Sequence, residues 1–341
     1  MRAAELIAPL TFRLTEMPIE DPGPGEVQVR VEAVGVCGSD LHAYNEGAVG
    51  GMPNVYPMVL GHEPAGVVVK TGSGVTGLAV GDRGALEPAL YCYHCEFCLT
   101  GHHNVCANIR FLSNPHHPGF FRERVNLPLK NFQPIPAGMS FAEATLAEPL
   151  AIALHSLRLA SIRAGETVAV IGAGPIGLMT IAALRVAGAS RIWAVEPLAH
   201  RRGLALQIGA DAALAPAEAF AEIVRETGQR GVDCAIDCAA GAETTNQAIL
   251  LARNAGRVAL TGIHSMPDVP MNGSAMRRKE LTIFNVRRSN HETVDALDLL
   301  LAHPGWFAPV ITHNRTLEQV DDAFAIASQY RDGVGKMIVR P

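Results

Sequence analysis

The stretch Thr167-Val168-Ala169-Val170-Ile171-Gly172-Ala173-Gly174-Pro175-Ile176-Gly177 decides the fold. Its first five residues are apolar or β-branched, which predicts a buried strand. G-x-G-x-x-G follows directly and opens a helical stretch over residues 178–187, the context in which that motif binds dinucleotides. Gly172 permits the tight turn, Gly174 lets the backbone approach a pyrophosphate, and Gly177 lets helix and strand pack closely. Pro175 and Ile176 stand in the same loop, where the unpaired N–H groups of a helix start face phosphates. A second strand over residues 191–195 ends in Glu196. An acid about 20 residues past the glycines can bind the adenosine ribose hydroxyls and would repel a 2′-phosphate, so NAD is favoured over NADP. Arg201 and Arg202 close by leave NADP open. A short strand after residues 209–212 and strands over 232–238 and 257–260 continue the α/β pattern. Residues 151–286 therefore read as a doubly wound parallel sheet. Cys234 and Cys238 read as buried strand residues within it.

Outward from this core, residues 1–150 read as strands and turns. Val27, Val29 and Val31 alternate with Gln28, Arg30 and Glu32, the pattern of a half-buried strand. Pro22-Gly23-Pro24-Gly25 before it is a turn. Residues 66–70 predict another strand, a glycine-rich loop follows, and a further strand starts at residues 80–83. Many short strands separated by Gly and Pro suggest a barrel-like β domain.

Two groups of metal-ligating residues lie in this region. Cys37-Gly38-Ser39-Asp40-Leu41-His42 and Gly61-His62-Glu63 offer a thiolate, an imidazole and a carboxylate, all accepted by Zn²⁺. Three protein ligands leave a fourth position open, as a catalytic zinc requires. Cys92, Cys95, Cys98 and Cys106 could instead close a four-sulfur shell, which is structural. His94, His102 and His103 lie among them and read as exposed loop residues, as do His116 and His117.

The 341 residues suffice for about two domains. The formal net charge of −5 and the absence of a basic block predict no nucleic-acid partner. A zinc-ribbon nucleic-acid module at residues 92–106 is the alternative that this charge opposes. No apolar run approaches the roughly 20 residues needed to span a bilayer, and the N-terminus lacks an apolar signal core. The expectation is a cytoplasmic protein without a membrane partner. Seven cysteines, four of them bunched, favour metal over disulfides in such a chain.

Together, Cys37 with Gly61-His62-Glu63, the four-cysteine lobe and the glycine-rich loop resemble the zinc-dependent medium-chain alcohol and polyol dehydrogenases, in order and over essentially the whole chain. The resemblance implies a GroES-like catalytic domain over residues 1–150, completed by 287–341, around the dinucleotide-binding domain 151–286. It implies two Zn²⁺ per subunit, NAD, a small alcohol or polyol substrate, and a homodimer or homotetramer. Glu148, before Pro149, matches the family's glutamate at the catalytic metal; Glu63 and Glu148 compete for the third place and both are used in turn. Ser39 matches the relay hydroxyl, and His42 the imidazole that passes the proton to solvent. Asp40 would orient His62, as metal-bound histidines need. Gly262 and Ile263 would lie near the nicotinamide, and Arg287 would face substrate and cofactor. Glu63, Glu148-Pro149 and Gly119-Phe120-Phe121-Arg122 favour a polyol over a primary alcohol. Ala43 and Arg288 depart from the sorbitol dehydrogenase pattern, which has tyrosine at both places, and leave the substrate open among polyols, L-threonine, 2,3-butanediol and sugar acids. Arg288 facing the pocket would favour a carboxylate. A non-catalytic zinc- and NAD-binding relative is the remaining alternative.

Overall fold

The computed structural model describes all 341 residues. The chain divides into two compact units, Met1–Glu148 with Thr293–Pro341, and Pro149–Glu292. Residues 287–292 thus stay with the second unit, where Glu292 accepts hydrogen bonds from His155 Nδ1 at 3.0 Å and Arg158 Nη1 at 3.1 Å.

The second unit is built on six parallel strands. In spatial order they are Ala212–Leu214, Arg191–Val195, Thr167–Ile171, Val232–Asp237, Ala252–Leu260 and Thr282–Asn285. Numbered along the chain this is 3-2-1-4-5-6, the doubly wound order whose switch point follows the first strand. The strand Thr167–Ile171 is almost wholly buried, which is why it reads as an apolar run rather than an alternation. The helix after the first strand spans Pro175–Val186 with Gly174 as its N-cap. It starts earlier than the helical pattern suggested because proline is favoured at the first helical position.

The first unit centres on a long strand, Glu26–Gly35, which pairs with Glu63–Thr71, Arg124–Pro128 and the last strand, Lys336–Arg340. Arg83–Leu86, Phe132–Pro134 and Ile311–Thr316 extend this sheet. Arg2–Ala8 pairs with Thr11–Glu16 and Met58–Val59 in a second sheet. Val27, Val29, Val31, Phe120, Phe121 and Phe324 share one apolar core. Strands and turns are not the whole of this region: helices Gly38–Glu46 and Phe141–Ala144 interrupt them. Gly38–Glu46 is short and mostly polar, so no apolar stripe announces it. No helix of the chain is long and apolar enough to cross a membrane.

Candidate metal and dinucleotide sites

Helix Gly38–Glu46 starts at Cys37, where Asp40 Oδ2 accepts the Cys37 N–H at 3.1 Å. An acid three residues past an N-cap closes a helix start in this way. The other oxygen of Asp40 reaches outward. Oδ1 accepts the Gly61 N–H at 3.2 Å and the Ser113 hydroxyl at 3.3 Å, and lies 3.3 Å from His62 Nδ1. Burial pushes the Asp40 carboxyl upward, but His62 and the N–H groups of Cys37 and Gly61 hold it below the usual range. One buried carboxylate thus ties the Cys37 turn to the His62 turn. Ser39 Oγ lies 3.4 Å from His62 Nε2, and the Phe111 ring covers the imidazole at 5.4 Å.

One ligand atom each from Cys37, His62 and Glu63 lie within 4.8 Å of one another. Glu63 opens its strand and is 1% exposed. Its Oε2 meets Lys336 Nζ, and Lys336 has no exposure at all. Gly35 makes room for this pair, since a Cβ there would lie 2.8 Å from Lys336 Cε. Burial pulls the lysine downward, yet the Glu63 carboxylate beside it more than offsets this and keeps the ammonium charged. Glu148 lies in the first turn of helix Ala147–Leu159. It is buried, and its Oε2 has no hydrogen-bond partner. Burial, with the charges of Glu63 and Glu87, pushes its carboxyl up to about 8 against His62 and Lys336. A buried carboxyl oxygen without a hydrogen-bond partner is expensive, so the donor set fits a divalent cation: soft sulfur, imidazole and carboxylate. Glu63 belongs to the three-ligand group and Glu148 stands outside it.

The four-cysteine lobe gives a sharper geometric test. Sγ–Sγ separations are 3.5 Å for Cys92–Cys106 and 3.9 Å for Cys92–Cys98 and Cys95–Cys106. Zn–S bonds of about 2.3 Å in a tetrahedron place sulfurs about 3.8 Å apart. None of the cysteines is in a disulfide. The N–H groups of Cys92 and Cys95 point at Cys106 Sγ and Cys92 Sγ, each at 3.4 Å. The lobe could therefore hold a structural zinc without rearrangement. His94 Nδ1 donates to the Cys92 carbonyl at 2.8 Å and supplies no ligand to the group.

In the second unit the glycine-rich loop has the backbone its sequence demands. Gly172 has φ +89°, and a Cβ on it would press on Ala239 at 2.8 Å. A Cβ on Gly177 would run into the Gly172 carbonyl, so helix and strand meet as closely as only glycine allows. Arg201 Nη1 lies 3.6 Å from where a Gly174 Cβ would stand, which puts its guanidinium beside the loop with Pro175 and Ile176. Glu196 is buried, and its oxygens accept the N–H groups of Ala173 at 2.8 Å and Leu198 at 3.0 Å. The acid therefore also braces the loop, a role its position in sequence did not announce. Gly262 is packed against Ala240, and Ile263 is exposed. Arg287 is exposed, and Arg288 is partly buried with φ +57°.

Three residues near the metal group escaped sequence reasoning. Lys336 opens a strand with no motif around it. Ser113 sits in a loop without a distinctive signal. Glu46 pairs with His42, its Oε1 2.8 Å from His42 Nδ1, and the spacing of four could have revealed it had the helix been recognised.

Comparison with known proteins agrees with this architecture. Residues 23–137 match the family model described as the alcohol dehydrogenase GroES-like domain, and residues 175–302 that described as zinc-binding dehydrogenase. The chain is 32% identical to a sorbitol dehydrogenase of Bacillus subtilis, over 100% of this chain and 97% of that protein. It is 32% identical to an L-idonate 5-dehydrogenase of Vitis vinifera, over 97% and 92%. Among solved structures, a zinc-binding dehydrogenase from Sinorhizobium meliloti bound to NADP superposes with a TM-score of 0.90 at 32% identity, covering 100% of this chain and 99% of that one. A short chain alcohol dehydrogenase from Escherichia coli complexed with NADH does so with a TM-score of 0.90 at 31% identity and the same coverage.

Proposed function

The chain belongs to the zinc-dependent medium-chain alcohol and polyol dehydrogenases, and from that premise we propose that it oxidises a secondary alcohol of a polyol or sugar-like substrate with NAD. The enzyme is an oxidoreductase of a zinc-binding family. The observation that carries the proposal is the convergence of Cys37 with the buried His62 and Glu63 within 4.8 Å, with Lys336 paired to Glu63. We assign these three as ligands of a catalytic zinc, with Glu148 as the second carboxylate at the site, and the four-cysteine lobe as the structural zinc site.

Bound there, zinc supplies Lewis acidity toward the substrate oxygen and NAD supplies the hydride acceptor. The protein's own residues manage the proton. Ser39, 3.4 Å from His62 Nε2, accepts it from the substrate hydroxyl. His42 stands three residues further along the same helix, on the same face, and passes it to water. Asp40 holds the His62 ring in place through Nδ1. Glu196 favours NAD, since its carboxylate would repel a 2′-phosphate. We place the enzyme in the cytoplasm as a homodimer or homotetramer.

The test is NADH formation over a panel of sugar alcohols, vicinal diols, L-threonine and sugar acids, with and without a zinc chelator. Chelator-sensitive oxidation of sugar alcohols is expected. Turnover of sugar acids alone would move the substrate toward that of the Vitis relative. Turnover that survives removal of both zinc ions would overturn the assignment of the catalytic ligands.

A further inference from the structure

Helix Gly38–Glu46 carries Ser39, His42 and Glu46 at spacings of three and four, which puts all three on one face. Glu46 is the last residue of the helix, before Gly47 in the left-handed conformation at φ 69°. A negative charge is unfavourable at a helix C-terminus, where carbonyls already point outward. The helix has no basic residue in its last turn to compensate. Local stability therefore does not account for the acid. What it does touch is the His42 ring, with Oε1 2.8 Å from Nδ1. The other titratable groups of this helix are engaged elsewhere. Asp40 is bonded to Cys37, Gly61 and Ser113, and Tyr44 packs on Phe12 and Phe324 at 5.7 and 5.1 Å.

An ionised carboxylate accepts hydrogen bonds and cannot donate them. Facing Glu46, Nδ1 must therefore carry the hydrogen, and the lone pair of the neutral ring is at Nε2. We infer that Glu46 is the positioning residue of the proton outlet: it locks His42 in the Nδ1–H tautomer, so that Nε2 is always the nitrogen open to the proton coming from Ser39. This rests on the reading of His42 as the relay base. The step is balanced. The proton leaves the Ser39 hydroxyl as that hydroxyl takes the substrate's, and Nε2 accepts it. The imidazolium stands against the Glu46 carboxylate, and water removes the proton and restores the neutral ring. Side-chain exposures of 29% for His42 and 44% for Glu46 give water access to both. A carboxylate–imidazole pair that orients a working histidine is a general device of active sites.

The experiment compares the zinc-loaded wild type with Glu46→Ala, Glu46→Gln and His42→Gln. Steady-state NADH formation gives kcat and KM, and ¹⁵N spectra of histidine-labelled enzyme give the tautomer, with His42→Gln assigning the resonance. Glu46→Ala is expected to lower kcat about tenfold with KM within about twofold, and to shift His42 to mixed tautomers. Glu46→Gln can still accept from Nδ1–H through its carbonyl, and is expected to keep the tautomer and recover part of the rate. An unchanged tautomer in Glu46→Ala, or a loss confined to KM, overturns the role of Glu46 while His42→Gln remains slow. If His42→Gln itself turns over at the wild-type rate, the relay reading fails and this inference falls with it.

Discussion

Replacing Lys336 by methionine removes the cation buried against Glu63, and its cost follows from the geometry. Lys336 and Glu63 are 0% and 1% exposed, so neither can turn to water when its partner is lost. Methionine is unbranched and close in volume, so packing is nearly conserved. What remains is an uncompensated buried carboxylate, and breaking a buried pair from one side costs about 3–5 kcal/mol. The first unit has about 200 residues, a size at which each kcal/mol moves Tm by about 2–4 °C. Metal-free Lys336→Met should therefore melt roughly 10 °C below the metal-free wild type. Zinc supplies positive charge beside the same carboxylate, so the zinc-loaded variant should recover much of this loss. The gap between metal-free and zinc-loaded Tm is then wider in the variant than in the wild type, as linkage to a ligand of the folded state requires. Calorimetry on both forms measures it. A metal-free variant that melts within about 2 °C of the wild type would refute the idea that Glu63 depends on Lys336 for its charge.

Other outcomes follow from the same contacts. Cys98→Ser should lower the zinc content measured by mass spectrometry from two ions per chain to one, and make residues 92–106 a preferred site of proteolysis. Glu196→Ala should raise the ratio of kcat/KM for NADP⁺ to that for NAD⁺ by about tenfold or more; an unchanged ratio would remove Glu196 from cofactor selection. In the metal-free protein, Glu148 is pushed up to about 8 by burial, well above an exposed glutamate. The unfolded chain then releases this proton earlier than the folded one, so stability falls as pH rises from about 5 to about 8, by on the order of 3 kcal/mol. Glu148→Gln cannot ionise, and should flatten that decline in urea midpoints measured at the two ends of the range.

Much of the fold was legible because its signals are local. The G-x-G-x-x-G loop identifies the first strand, the turn and the helix start at once, since each glycine answers a steric need within a few residues. The strands Thr167–Ile171 and Arg191–Val195 were readable from short apolar runs. Helix Gly38–Glu46 was not, because Ala43 and Tyr44 are its only buried apolar residues and give no stripe to detect. The pairing of Glu46 with His42 stayed hidden with it.

The sequence by itself determined the chemistry: a thiolate, an imidazole and carboxylates near the N-terminus, four spaced cysteines, and a dinucleotide loop. These depend on residue type and spacing along the chain, which short-range geometry translates directly into turns and ligand sets. Only the tertiary structure decided what surrounds them. Strand alternation gives no reason to bury Lys336 or to aim it at Glu63, because the pairing of Glu26–Gly35 with both Glu63–Thr71 and Lys336–Arg340 sets that meeting across most of the chain. The same holds for Glu63 joining the three-ligand group while Glu148 stands apart. Charge in a dry interior is governed by distance through space, and that distance exists only once the strands have paired.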